Sequence, residues 1–110
     1  MSAVSTHVLD TVRGEPARGI AVRLEQAGSG ELGRGITDAD GRIADFGVAS
    51  LAAGTYRLIF QTREYLSGSL PEQAAFFPEV VVTFTADGLR PRYHVPLLLS
   101  PFSYSTYRGS

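Results

Sequence analysis

The 110-residue sequence contains no cysteine and no tryptophan, a single methionine, and basic side chains that are all arginine. Without cysteine there are no disulfides, thiolate nucleophiles, iron–sulfur clusters or cysteine zinc sites, and the redox compartment stays open. Without lysine there is no Schiff-base chemistry, pyridoxal phosphate included. The formal net charge of -1 provides no basic footprint for nucleic acid. No apolar run reaches the roughly 20 residues that span a bilayer as a helix. No basic patch followed by an apolar stretch opens the chain, so no secretory signal is visible, and Tyr107-Arg108-Gly109-Ser110 is no prenylation or peroxisomal address. These absences predict a cytoplasmic protein without nucleic-acid or membrane partners. The length predicts one domain over residues 1–110.

What is present has a period of two. Ile20, Val22 and Leu24 alternate with Ala21, Arg23 and Glu25; Tyr56, Leu58 and Phe60 alternate with Thr55, Arg57 and Gln61; Val80, Val82 and Phe84 alternate with Glu79, Thr83 and Thr85. Each reads as a half-buried strand, with Ile59 and Val81 adding apolar surface to the polar side. Further strands are expected over 5–11, 31–37, 92–99 and 102–107. The turn signals are Asp38-Ala39-Asp40-Gly41, Ala86-Asp87-Gly88 and Ser100-Pro101. Strands at this spacing predict an all-β sandwich or barrel. One short helix is expected between the second and third clear strands, either capped by Ser69 in Ser69-Leu70-Pro71-Glu72 or over Thr62–Leu66.

Several familiar patterns fail on context. Gly28-Ser29-Gly30-Glu31-Leu32-Gly33 follows a predicted strand but opens no helix to face a pyrophosphate, so it reads as a hairpin connection. The Asp38–Gly41 turn lacks the flanking acidic ligands of a calcium loop. There is no G-x-S-x-G elbow and no pair of histidines four residues apart. The two histidines, His7 and His94, could join a carboxylate and a water on zinc, but no spacing argues for it, and no metal or cofactor is expected.

Strand parity says more about the histidines. Tyr93, Val95, Leu97 and Leu99 share one face and read as core; His94, Pro96 and Leu98 share the other. His7 lies with Ser5 and Leu9, opposite Thr6, Val8 and Asp10. Both histidines therefore fall on a mixed, partly apolar second face, the kind of surface that another subunit covers. Pro96 cannot donate a ladder hydrogen bond, so its strand is expected at an edge or locally irregular there. A metal-free acid–base pair needs two imidazoles near one substrate and a fixed cation for the charge that develops, and Arg42, directly after Asp40-Gly41, is a candidate cation.

Ser5-Thr6-His7-Val8-Leu9-Asp10-Thr11 with Gly14-Glu15-Pro16-Ala17 resembles the N-terminal signature of the 5-hydroxyisourate hydrolases, the enzymatic members of the transthyretin-like family. Thr37–Arg42 is similar to their central Thr-x-x-Asp-Gly-Arg turn, Phe76–Val80 to the opening of their sixth strand, and Tyr93–Pro101 with Tyr104–Ser110 to their C-terminal signature. Phe102-Ser103 departs from the Tyr-Gly of many members.

The resemblance implies a transthyretin-like sandwich of two four-stranded antiparallel sheets with one short helix. It implies a homotetramer, a dimer of dimers with active sites at the dimer–dimer interface. It makes His7, Arg42, His94 and Ser110 catalytic, and Tyr107, Arg108 and Gly109 substrate-binding. The implied reaction is metal-independent hydrolysis of the N1–C6 amide bond of 5-hydroxyisourate, giving 2-oxo-4-hydroxy-4-carboxy-5-ureidoimidazoline. The competing expectation is a transthyretin-like carrier of small ligands without catalysis.

Overall fold

β1 (Val4–Asp10) alternates strictly between buried and half-buried residues. Val4, Thr6, Val8 and Asp10 point inward; Ser5, His7 and Leu9 point outward, as parity required. The computed structural model describes the backbone of residues 3–69 and 75–109. Among these, the elements after β1 are β2 (Glu15–Pro16), β3 (Ala21–Gln26), β4 (Gly30–Ile36), β5 (Arg42–Ile43), β6 (Gly54–Gln61), α1 (Arg63–Ser69), β7 (Glu79–Ala86), β8 (Tyr93–Leu99) and β9 (Tyr104–Thr106).

Two sheets form. One is wholly antiparallel, in the order β4-β3-β6-β7. The other runs β2-β1-β8-β9, with β5 also pairing β1. Here the structure refines the expectation of two four-stranded antiparallel sheets. The second sheet has five strands and is mixed, because β1 and β8 run parallel over seven residue pairs, from Val4↔Tyr93 to Asp10↔Leu99. Parallel neighbours cannot be joined by a hairpin and need a long crossover, which the whole first sheet supplies. The two-residue strands β2 and β5 share the free edge of β1, at Leu9–Asp10 and at Thr6–His7.

The inward faces meet in one apolar cluster in which Tyr56, Leu58, Phe60, Leu24, Val8 and Leu97 are almost fully buried. Burying each such large side chain contributes about 1.5–3 kcal/mol. Ile59, on the outward side of β6, is also buried, between its ladder neighbours Arg23 and Val81. The one buried threonine on β1, Thr6, donates its hydroxyl to the Val95 carbonyl at 2.6 Å, so its polar group is satisfied by the neighbouring strand.

The helix takes the second of the two sequence alternatives. Ser69 is the last residue of α1 rather than its cap, and Leu70, Pro71 and Glu72 lie outside the described residues. Thr62 starts the helix instead. Its carbonyl accepts the Leu66 N–H at 3.0 Å, while its own N–H and that of Arg63 donate to the Pro78 carbonyl. Those tertiary bonds fix the first turn, which a local capping pattern cannot reveal. Tyr65 then ties α1 to β1, its hydroxyl donating to Asp10 Oδ2 at 2.6 Å.

Pro96 lies on an interior strand, yet the irregularity its missing N–H demands is present. The carbonyls of Val95 and Leu99 are used on the β1 side, and that of His94 on the β9 side. Alternation therefore aims Pro96 at β9 as well. β9 stops at Thr106, whose hydroxyl donates to the Pro96 carbonyl at 2.7 Å, and the ladder resumes only as an isolated His94↔Gly109 bridge.

Candidate functional site

The register of the mixed sheet decides which side chains meet. Arg42 on β5 stands opposite His7 on β1, and His7 stands opposite Pro96 on β8. One step along, Ser5 stands opposite His94, and His94 is bridged to Gly109. Laterally paired residues share a face, so Arg42, His7, Ser5, His94 and Gly109 all lie on the outward side of this sheet. The two histidines are diagonal neighbours, roughly 8 Å apart at Cα from strand spacing and rise. Both are half-buried, and Arg42 is exposed. Leu9 and Leu98, paired with each other and half-buried, extend the same face with apolar surface.

The loop that presents Arg42 is built from its own sequence. Thr37 is buried; its hydroxyl donates to the Ala17 carbonyl at 2.8 Å and accepts the Ile20 N–H at 2.9 Å. Asp38 Oδ1 accepts the N–H groups of Asp40 and Arg42, each at 2.9 Å. These backbone bonds, the Arg42 one foremost, hold the Asp38 carboxyl below its ordinary pKa. Gly41 turns the chain at φ +72° and packs against β1, its carbonyl accepting the Val8 N–H at 2.7 Å. Asp38 and Gly41 thus set where β5 begins, and β5 sets Arg42 beside His7.

The ring of His94 is held at both edges. Ser5 Oγ lies 2.8 Å from Nδ1 on the β1 side. On the β9 side Gly109 comes so close that a Cβ on it would stand 2.5 Å from His94 Cδ2. Partial burial is the main cause that lowers the His94 pKa; the positive charges of Arg42 and His7 add to it, and a backbone hydrogen bond to Ser5 opposes it. The lowering favours the neutral ring, the form that can accept a proton.

The remaining residues suggested by the sequence distribute differently. Gly109 joins His94, and Ser110 lies outside the described residues. Tyr107 and Arg108 line a cavity of about 320 Å³ with Phe84, Tyr93, Val95 and Thr106, at the open side between the sheets. Neither histidine nor Arg42 is among the residues that line this cavity. Ser5 is the site residue that sequence reasoning passed over. Its signal was parity with His7, but its contact is with a residue at the other end of the chain. Among the described residues no group of three His, Asp or Glu side chains is placed to hold a metal ion, and no helix is long and apolar enough to cross a membrane.

Residues 4–109 match the profile described as the HIUase/Transthyretin family. The chain is similar to a 5-hydroxyisourate hydrolase of Salmonella dublin, with 46% identity over 97% of this chain and 80% of that one. The fold is similar to the solved 5-hydroxyisourate hydrolase of Klebsiella pneumoniae, with a TM-score of 0.85 and 37% identity over the full length of both chains. It is also similar to the transthyretin of Sparus aurata, with a TM-score of 0.88 and 31% identity over 99% of this chain and 97% of that one.

Proposed function

The chain belongs to the HIUase/Transthyretin family, and on that premise we propose that it hydrolyses 5-hydroxyisourate at the N1–C6 amide bond, yielding 2-oxo-4-hydroxy-4-carboxy-5-ureidoimidazoline in urate degradation. One observation carries the reading: strand register puts Arg42, His7 and His94 on a single outward face. Likeness of fold alone does not separate hydrolase from carrier, because TM-scores of 0.85 and 0.88 attach to one of each name. The histidine–arginine face supports the hydrolase reading, since it supplies what amide hydrolysis requires.

In the proposed reaction a water attacks C6 and loses a proton to an imidazole. The oxygen on C6 gains negative charge as the tetrahedral species forms, and the Arg42 guanidinium meets it. The C6–N1 bond then breaks, N1 takes that proton from the imidazole pair, and C6, still bonded to C5, becomes a carboxylic acid that gives its remaining proton to solvent. Two imidazoles suit both transfers near neutrality. By family resemblance, Tyr107, Arg108 and Gly109 are proposed to bind the substrate and Ser110 to take part in catalysis; a guanidinium offers a planar fork of donors to ring oxygens and nitrogens. The single-domain chain is proposed to act as a homotetramer, a dimer of dimers in which the partly apolar histidine face is covered by another subunit.

The test is to follow the absorbance decay of freshly generated 5-hydroxyisourate with and without the protein, in the presence of a chelator. Accelerated decay is expected; decay at the spontaneous rate in the presence of a well-folded protein would overturn the hydrolase reading and favour the carrier. The same assay, with substrate formed beforehand so that its supply does not vary with pH, gives a second expectation. Because the pKa of His94 is lowered from 6.5 and its neutral form takes the proton, the acid limb of kcat/KM is expected to be centred below 6.5. A limb centred above that value would assign the essential base to another group.

A further inference from the structure

The assignment of acid and base between two histidines turns on which ring nitrogen is bare, and the surroundings of His94 address that directly. Its Nδ1 edge faces Ser5 at 2.8 Å. Its Cδ2 edge faces Gly109, where a side chain would collide with the ring at 2.5 Å. With the Nδ1 edge against β1 and the Cδ2 edge against the Gly109 bridge, Cε1 and Nε2 form the edge of the imidazole that neither contact engages. Among the described residues the Ser5 hydroxyl makes no other side-chain hydrogen bond, so it is available to the ring. Backbone geometry favours the same partner, for Ser5 and His94 are direct register neighbours of the parallel ladder.

We propose that Ser5 is a positioning residue that holds His94 with its proton on Nδ1, leaving Nε2 as the lone pair that takes the proton of the attacking water, with Gly109 as the wall that keeps the ring in that orientation. The inference rests on the hydrolase reading for its kinetic consequence, though not for its structural one. A hydroxyl accepting from Nδ1–H fixes the tautomer, as a carbonyl or carboxylate does behind many functional histidines. It also supports the imidazolium formed during attack, because the same bond persists when the ring is charged. The other assignment, Nε2–H with a bare Nδ1 accepting from the serine, would turn the basic nitrogen away from the outward face.

The experiment pairs Ser5→Ala with Ser5→Thr, which keeps the hydroxyl on a residue suited to a strand. Two readouts are needed. Nitrogen-15 spectra of the imidazoles at pH 7.5 report the tautomer of His94 independently of any substrate. In the unsubstituted protein they are expected to show Nδ1–H, and in Ser5→Ala a shift toward Nε2–H; Ser5→Thr should restore the first pattern. Turnover of 5-hydroxyisourate by Ser5→Ala is expected to fall about tenfold in kcat with little change in KM, with the acid limb of the profile displaced to lower pH and thermal stability nearly unchanged. Nε2–H in the unsubstituted protein, or Ser5→Ala with unchanged tautomer and turnover, would overturn the proposal. If the unsubstituted protein turned over no substrate while the tautomer responded to Ser5, the hydrolase reading would fall and the positioning role would stand.

Discussion

His94→Asn is expected to lower turnover of 5-hydroxyisourate by about a hundred- to ten-thousand-fold, the range for removing a group that moves a proton in the transition state. Asparagine keeps a polar group of similar reach toward Ser5 but has no titrating nitrogen to receive a proton from water. The fold has little reason to respond. The side chain lies on the outward, half-buried face, its strand is held by main-chain bonds to β1, and the Gly109 N–H bonds the His94 carbonyl rather than the ring. A melting curve close to that of the unsubstituted protein, together with the loss of activity, is the expected pair of results. Retention of ordinary turnover would remove His94 from the chemistry and leave His7 as the base.

Gly41→Ala is expected to act on stability and activity together. A Cβ at this position would run into the Val8 carbonyl oxygen and press on Pro16 Cβ at 3.1 Å. That carbonyl already accepts the Ala17 N–H at 2.9 Å, so it cannot retreat without breaking a bond. The backbone is also left-handed at φ +72°. Strain and collision together should cost about 2–3 kcal/mol, a drop of roughly 10–20 °C in melting temperature. Gly47→Ala is the control. That residue has φ +80° with nothing within 4 Å of a built Cβ, so only backbone strain applies, about 1 kcal/mol. Equal losses in the two variants would mean that contact with β1 contributes nothing. Activity separates them further. Gly41→Ala displaces the start of β5 and with it the pairing of Arg42 with His7, whereas the control leaves that pairing alone.

Much of this architecture was legible because strands have an exact side-chain period. The alternation in 20–25, 55–61 and 79–85, with the weaker segments 5–11, 31–37, 92–99 and 102–107, placed seven of the nine strands among the described residues within a residue or two. It also put both histidines on the outward face before any pairing was known. What stayed hidden was local pattern of insufficient length. β2 and β5 are two residues each, too short to show a period, and β5 is the strand that delivers Arg42. The choice between two helix positions stayed open for a related reason. A four-residue capping pattern at Ser69 competed with bonds from Thr62 and Arg63 to Pro78, and those depend on the folded path of the chain. The contact between Ser5 and His94 joins residues 89 positions apart, and no local reading reaches that far.

The parallel pairing of β1 with β8 also determines when the site can exist. Closing so long a loop costs chain entropy that isolated contacts cannot offset, whereas the antiparallel ladders of β3, β4, β6 and β7 close much shorter loops. A chain emerging from the ribosome can begin assembling that first sheet while β1 still lacks its central neighbour. Ser5 then has no histidine to hold, and His7 has no strand between it and the tail. Recovery of turnover on refolding is thus expected to follow the pairing of β1 with β8, and to report completion of the fold rather than its onset.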